Sequence, residues 1–276
     1  MTLKIYKVCE ILDHLESCIK DKKPFSLLRF GDGGIKMIHA ILYNDSEQLN
    51  DILRREGIPK DLVLEVFELW GFYARRADYI DTPEVYFSNQ FWPRLKKPPD
   101  IPMSKKTIEK LFMWKDLYSS AEFDNNNYCN PETNYLMIIR RPKRKNLLDV
   151  MRNKKLCFIT TRTEVSSKFD NCKIDTFRIV NHYENHYEKS FRSVIHFIEE
   201  NANYYDFWLV AAGELGRIYS GLIKQKGGRT IDIGFVVDYW IDGSIPIRMR
   251  KFVRQNSSNP LELRLNPRAL KYSKYI

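Results

Sequence analysis

Residues 207–233 constrain the fold of this chain most. Phe207-Trp208-Leu209-Val210-Ala211-Ala212 is an apolar run of strand length, and Gly213-Glu214-Leu215-Gly216 stops it with a glycine turn. Leu215, Ile218, Tyr219, Leu222 and Ile223 then recur at helical spacing. Gly227-Gly228 ends that helix, and residues 229–233 read as a second strand. Strand, helix and strand at this spacing form a βαβ unit, which implies a parallel sheet with right-handed crossovers.

The rest of the chain fits such a sheet. Ser26-Leu27-Leu28-Arg29-Phe30 reads as a strand that stops on Gly31-Asp32-Gly33-Gly34, and residues 35–43 read as a helix. Before it, Val8, Ile11, Leu12, Leu15 and Ile19 place a helix over residues 6–21. Residues 45–73 read as two helices broken around Gly57-Ile58-Pro59, and residues 85–87 and 135–139 as strands. Further on, residues 155–161 and 174–180 read as strands and residues 183–200 as an amphipathic helix. The predicted architecture is α/β: a single Rossmann-like, mostly parallel sheet flanked by helices, with a helical insertion and a basic C-terminal arm. The main domain is expected over residues 1–250, the helical or loop insertion at about 45–130, and the arm over 251–276.

Composition narrows the class. A chain of 276 residues with 43% hydrophobic content supports one large or two small domains with a real core. No stretch of about 18 apolar residues stands in it, so no integral membrane span is expected. The five scattered cysteines form no CxxC pair, which leaves neither a structural zinc site nor a disulfide framework indicated. With no signal-peptide pattern at the N-terminus, a reducing cytoplasm is the expected compartment. The net charge of +10 is uneven: residues 140–155 and 246–276 each hold eight basic residues against one acidic residue. Outside these two segments the chain is slightly acidic. They indicate either a polyanionic partner or a solubilising surface with a loose tail.

Ligands of open α/β sheets bind outside the carboxyl ends of the strands. Gly31, Asp32 and Gly33 lie at one such end, Thr161 and Arg162 at another, and Gly213, Glu214, Gly216 and Arg217 at a third. A fourth strand runs into Asp232-Ile233-Gly234, with Asp238 and Trp240 just beyond. Arg29, Arg162 and Arg217 suit a diphosphate, while Asp32, Glu214, Asp232 and Asp238 offer a metal ligand or a general base. No GxGxxG or GxxxxGK[ST] occurs, which argues against hydride transfer and P-loop chemistry. His182 and His186 stand four apart, a spacing that suits a metal or, more commonly, a polar rim at a helix start. The loop with Asn89 and Trp92 suits stacking on a sugar or base and equally suits core packing.

Arg29-Phe30-Gly31-Asp32-Gly33 after an apolar strand resembles the opening motif of the GT-D-type glycosyltransferases, a family first catalogued as a domain of unknown function. The βαβ segment closing on Asp232-Ile233-Gly234 and Asp238-x-Trp240 is similar to the end of the same group. The resemblance covers residues 25–40 and 155–242. It implies transfer of a sugar from a nucleoside-diphosphate sugar, expected to be a UDP-sugar, to an acceptor hydroxyl. In the family pattern, Arg-Phe-Gly-Asp-Gly-Glu, an Asp-x-Glu pair is associated with a divalent metal and the donor diphosphate. Here Asp32 carries over and Gly34 replaces the Glu. Mn²⁺ or Mg²⁺ at Asp32 is therefore in question, because such ions favour oxygen-rich sites. Glu214 or Asp238 supplies the missing oxygen, or cations such as Arg217 neutralise the diphosphate without metal, or catalysis has been lost, in that order.

Under this reading the catalytic residues are Asp32, Glu214 and Asp238. The donor site holds Arg29, Gly31, Gly33, Thr161, Arg162, Gly213, Gly216, Arg217 and Asp232. The acceptor is expected at Asn89, Trp92, Arg140 and Arg141. The resemblance favours a cell-surface or glycoprotein glycan as acceptor. The positive charge favours DNA carrying 5-hydroxymethylpyrimidine bases, the second choice. A third choice is a non-catalytic nucleic-acid-binding protein on a degenerate α/β scaffold.

Overall fold

The computed structural model describes residues 5–29, 46–81, 127–129, 146–165, 169, 171–234 and 236–242. Eight strands form one sheet: β1 (Ile5–Tyr6), β2 (Phe25–Leu28), β3 (Tyr79–Asp81), β4 (Asn127–Cys129), β5 (Lys155–Thr160), β6 (Lys173–Arg178), β7 (Phe207–Ala211) and β8 (Arg229–Asp232). Their order across the sheet is β1-β4-β3-β2-β8-β7-β5-β6, and every pairing is parallel. The chain steps from β5 outward to β6 and returns on the other side of β5 to β7 and β8. That reversal opens a crevice at the carboxyl ends of β5 and β7.

The helices are α1 (Val8–Asp21), α2 (Ser46–Glu56), α3 (Val63–Ala74), α4 (Leu147–Met151), α5 (Arg192–Asn201), α6 (Gly216–Gln225) and α7 (Val236–Asp242). Period-two alternation along the central strands sorts the core into two layers. Cys157, Ile159, Trp208 and Val210 face α2, α3, α5 and α6, whereas Leu156, Phe158, Phe207 and Leu209 face α1, α4 and α7. The near-continuous apolar character of β5 and β7 follows, because helices cover both faces. Helix α6 is buried from Gly216 to Ile223. It sits so close to α3 that a Cβ on Gly221 would lie 2.1 Å from the Tyr73 ring.

The predicted βαβ unit is present as β7, α6 and β8, with Gly227 at φ +89° after the helix. Helix α1 begins at Val8, two residues after the expected start, because Tyr6 belongs to β1. The break at Gly57 separates α2 from α3. The helix expected from Tyr183 starts later: Tyr183 and Asn185 take φ +67° and +60°, and a π-helical turn, Tyr187–Phe191, leads into α5. The stretch expected to be an insertion contributes α2, α3, β3 and β4 to the sheet and its covering layer. The expected strands at 85–87 and 135–139 lie outside the described residues, as do the helix at 35–43 and the C-terminal arm.

Candidate active site

A cavity of about 470 Å³ opens at the carboxyl ends of β5, β6, β7 and β8. Arg29 reaches it from the end of β2, Thr160 and Thr161 from β5, Gly213 and Glu214 from the turn after β7, and Asp232 from β8. Arg217 enters from the first turn of α6 and Asp238 from α7. Topology alone thus gathers side chains more than two hundred residues apart, from Arg29 to Asp238.

The inner wall is a lattice of buried charges. Glu214 accepts from two guanidinium groups: Arg55 Nη2 donates to its Oε1 at 3.3 Å, and Arg217 Nη1 donates to its Oε2. Burial pushes the Glu214 carboxyl above the usual carboxylate range, and Arg217 and Arg55 pull against that shift. Arg217 Nε donates to the Arg29 carbonyl, and Arg29 Nη1 donates to the Ile233 carbonyl at 3.2 Å. Asp232 Oδ1 accepts the Gly234 amide at 3.1 Å. Burial raises its pKa too, opposed by the charges of Arg29 and Arg217. Each buried carboxylate is thus answered by an arginine, as the cost of desolvating a charge requires.

Behind the β7 turn lies a third buried carboxylate. Glu56 ends α2 with its side chain 0% exposed; Oε1 is 3.4 Å from His182 Nδ1 and 3.3 Å from Arg55 Nε, and Oε2 is 3.5 Å from His186 Nδ1. Desolvation pushes the Glu56 carboxyl up, but the imidazoles of His182 and His186 and the charge of Arg55 outweigh it and hold the pKa at about 2. Gly213 makes this approach feasible. Its φ is +58°, and a Cβ there would stand 2.7 Å from Glu56 Oε1.

The rim is more open. Asp238 keeps half of its side chain in solvent and lies 3.8 Å from Arg162 Nε. Partial burial raises its pKa, with Arg162 lowering it and Asp242 raising it. Arg162 also faces Glu164 at 3.9 Å and donates to Asp242.

Of the expected site residues, the cavity brings together Arg29, Thr161, Gly213, Glu214, Arg217, Asp232 and Asp238. Arg162 is turned toward the three rim carboxylates. Gly216 packs against Val210, where a Cβ would meet Cγ1 at 3.2 Å, so it seats the helix. Gly31, Asp32, Gly33, Asn89, Trp92, Arg140 and Arg141 lie outside the described residues. Sequence reasoning missed Arg55 and Glu56 entirely and read His182 and His186 as a rim or a metal pair. The available signal was Gly57 directly after a helical Glu, together with the spacing of the two histidines.

Residues 6–240 match the family model of the GT-D fold-like domain. The chain belongs to this GT-D-like family. Three solved structures resemble it over most of their length. A glycosyltransferase (DUF1792) from Streptococcus sanguinis aligns at TM-score 0.54 and 15% identity, over 88% of this chain and 86% of that one. A selenomethionine-substituted DUF1792 domain aligns at TM-score 0.57 and 16% identity, over 88% and 83%. The DUF1792 domain described as having a distinct glycosyltransferase fold aligns at TM-score 0.55 and 16% identity, over 98% and 94%. This GT-D-like chain therefore has that glycosyltransferase fold. No curated protein matches it in sequence.

The Mn²⁺ or Mg²⁺ associated with the family pattern finds no ready donor set among the described residues. No group of three His, Cys, Asp or Glu side chains there is placed to hold an ion. Glu214 and Asp232 already face arginines, which compete with a cation for the same oxygens. Among the described residues no helix is long and apolar enough to cross a membrane.

Proposed function

We propose that this protein is a glycosyltransferase that takes a nucleoside-diphosphate sugar, a UDP-sugar first among the donors to test, and passes the sugar to a hydroxyl of a glycan. The supporting observation is the cavity itself. Three arginines, Arg29, Arg55 and Arg217, converge at the carboxyl ends of parallel strands in a chain of the GT-D-like family. Sugar transfer places negative charge on the departing diphosphate, and fixed cations in a cavity stabilise it as it develops. The acceptor oxygen bonds to the anomeric carbon, and the bond from that carbon to the diphosphate oxygen breaks with its electron pair. In an inverting transfer the acceptor proton passes to a carboxylate on the side away from the diphosphate.

Asp238 suits that base role better than Glu214. It is half exposed at the cavity mouth and its pKa is raised, whereas Glu214 is locked between two guanidiniums. The arginines neutralise the diphosphate in this reading, and no step is routed through a metal. Cytoplasmic location belongs to the same proposal. Membership of the GT-D-like family favours the glycan acceptor, while the basic segments at 140–155 and 246–276 favour DNA, and the glycan reading is the one carried forward.

Thermal stabilisation by a panel of nucleoside-diphosphate sugars, with and without Mn²⁺, tests donor and metal together. Stabilisation by one donor, unchanged by chelator, supports the reading, and the absence of any donor-dependent shift overturns it. Transfer of radiolabelled sugar to glycans or to DNA containing 5-hydroxymethylpyrimidine then identifies the acceptor.

A further inference from the structure

Glu56 and His182 belong to no part of the donor or acceptor sites read from the sequence, yet the fold is shaped around them. Glu56 is a fully buried carboxylate, and among the described residues the imidazoles of His182 and His186 and the Arg55 guanidinium answer its charge. Its Oε2 has no aligned hydrogen-bond donor, so the contact with His186 is mainly electrostatic. Three backbone features bring the groups together. Gly213 leaves room for the carboxylate, as described above. Gly57, at φ +69°, lies against the backbone of Asn185, where a Cβ would be 2.4 Å from the Asn185 Cα. Tyr183 and Asn185 adopt left-handed conformations, which asparagine tolerates and tyrosine rarely takes, and the Tyr183 amide donates to the Arg55 carbonyl at 2.8 Å. The segment is thus tied to the end of α2 and cannot relax without releasing both histidines.

The two histidines have different surroundings. His186 is buried, its Nε2 3.1 Å from the Tyr219 hydroxyl, and this completes a closed chain from Glu56 into α6. His182 lines the cavity with about half its side chain exposed, and its Nδ1 faces Glu56. Such a carboxylate fixes the tautomer of an imidazole and favours its protonated form, and the other ring nitrogen is then the donor left for a ligand.

We propose that Glu56 and His182 form a carboxylate–imidazole dyad that presents a protonated imidazole to the diphosphate of the donor, alongside Arg29, Arg55 and Arg217. His182 is then a catalytic residue that donates a hydrogen bond to the leaving diphosphate, and Glu56 is its positioning residue. The proposal rests on the nucleoside-diphosphate-sugar reading for the identity of the ligand. Its distinguishing property is that one cation among several titrates. The arginines keep their charge across the accessible pH range, so loss of binding at alkaline pH reports His182. Groups facing His182 are Glu56 and Arg55 from α2, Glu214 from the β7 turn, and Asp238 from α7. The histidine pKa is raised first by the hydrogen bond to Glu56, which outweighs partial burial and the charge of Arg55.

The test is calorimetric binding between pH 6 and 9 of UDP-glucose, GDP-mannose and ADP-glucose, and of dimethyl diphosphate with one methyl on each phosphate. The diphosphate of every probe keeps its charge in that range. ADP-glucose and dimethyl diphosphate carry no other group that titrates there, and they control for the uracil and guanine N–H groups that begin to ionise near pH 9. In the full-length protein, affinity is expected to fall about tenfold from pH 6 to 9, the size of one charge-assisted hydrogen bond. His182→Gln is expected to bind about tenfold more weakly at pH 6, with a flat pH profile, and His182→Arg to restore affinity with the same flat profile. Glu56→Gln tests the positioning role through the His182 titration followed by NMR, with a lowered pKa expected. Should that variant fail to fold, the two His182 variants, at a half-exposed position, still decide the matter. Binding of a nucleotide sugar that His182→Gln leaves unchanged at every pH overturns the dyad and keeps the donor reading. Dyad-dependent binding of dimethyl diphosphate without binding of any nucleotide sugar overturns the donor reading and keeps the dyad. Absence of binding by every probe overturns both.

Discussion

On the inner wall of the cavity Glu214 is buried and bracketed by Arg55 and Arg217, whereas on the rim Asp238 keeps half of its side chain in solvent and has Arg162 at 3.8 Å. Both carboxyls have raised pKa values, and in both desolvation is the largest cause. The consequences differ because of what surrounds them. Glu214 cannot take up a proton without weakening its contacts to two guanidinium groups, so the inner wall is a fixed field suited to holding charge. Asp238 can exchange a proton with solvent and with a bound hydroxyl at little structural cost. The same residue type at the ends of neighbouring elements thus divides into a binding wall and a reactive rim.

The comparison breaks most visibly at Glu56. Glu56→Leu strands the charges of Arg55 and His182 beside the wall and is expected to cost about 3–5 kcal/mol in chemical denaturation, as when one partner of a buried ion pair is removed. A loss below about 1 kcal/mol would mean that the buried network is not fixed. The same carboxylate sets an acid limit. Its pKa in the fold, about 2, lies below the ordinary value of 4.5, so its contribution is complete above about pH 4.5 and is lost as the pH falls toward 2. That contribution is of order 3 kcal/mol, and Glu56→Gln should flatten the acid limb of a stability-against-pH curve. For His182 the sign is opposite. Its raised pKa adds stability that is complete below about 6.5 and fades as the pH rises through the folded value.

The rim should respond in activity and not in stability. Asp238→Asn is expected to lower kcat by about 10²-fold or more, with a stability change within about 0.5 kcal/mol. Equal loss from Glu214→Gln with an intact pH profile in Asp238→Asn would reverse the two roles. Gly213→Ala comes next. It forces φ +58° on a residue with a Cβ and drives that Cβ toward Glu56, and a cost of about 1–3 kcal/mol should appear in thermal unfolding. Arg162→Ala has the smallest expected effect, under about 1 kcal/mol of stability, because its partners are half exposed. Its signature is a shift of the acidic limb of the pH–rate profile to higher pH, since Asp238 loses the charge that lowers its pKa.

Much of the fold was legible because periodicity is a local property. The apolar runs of β5 and β7 and the apolar stripe of α6 are patterns carried by neighbouring residues in the sequence. The helix start at Tyr183 was misplaced for the opposite reason. An apolar stripe runs through that residue, but the bond from its amide to the Arg55 carbonyl holds it in a left-handed conformation, and that contact spans 128 residues. The site divides in the same way. Strand ends ending in Gly213-Glu214 and Asp232 point toward a ligand by general topology, so Glu214, Arg217, Asp232 and Asp238 were accessible from the sequence. Arg55 and Glu56 were not, because a Glu at a helix end looks solvent-exposed until another strand end packs over it.

By itself the sequence determined that this chain builds a parallel sheet covered on both faces, and that its polar strand ends carry arginines and carboxylates. Side-chain spacing and glycine placement settle those points without knowledge of distant contacts. The tertiary structure alone decided which charges meet. Placing β7 between β5 and β8 brings the Gly213 turn over the end of α2, and that packing makes Glu56 a buried anion, orients His182 toward the cavity and leaves Asp238 at the rim. Coulombic energy and desolvation depend on distance in space, which sequence separation does not encode.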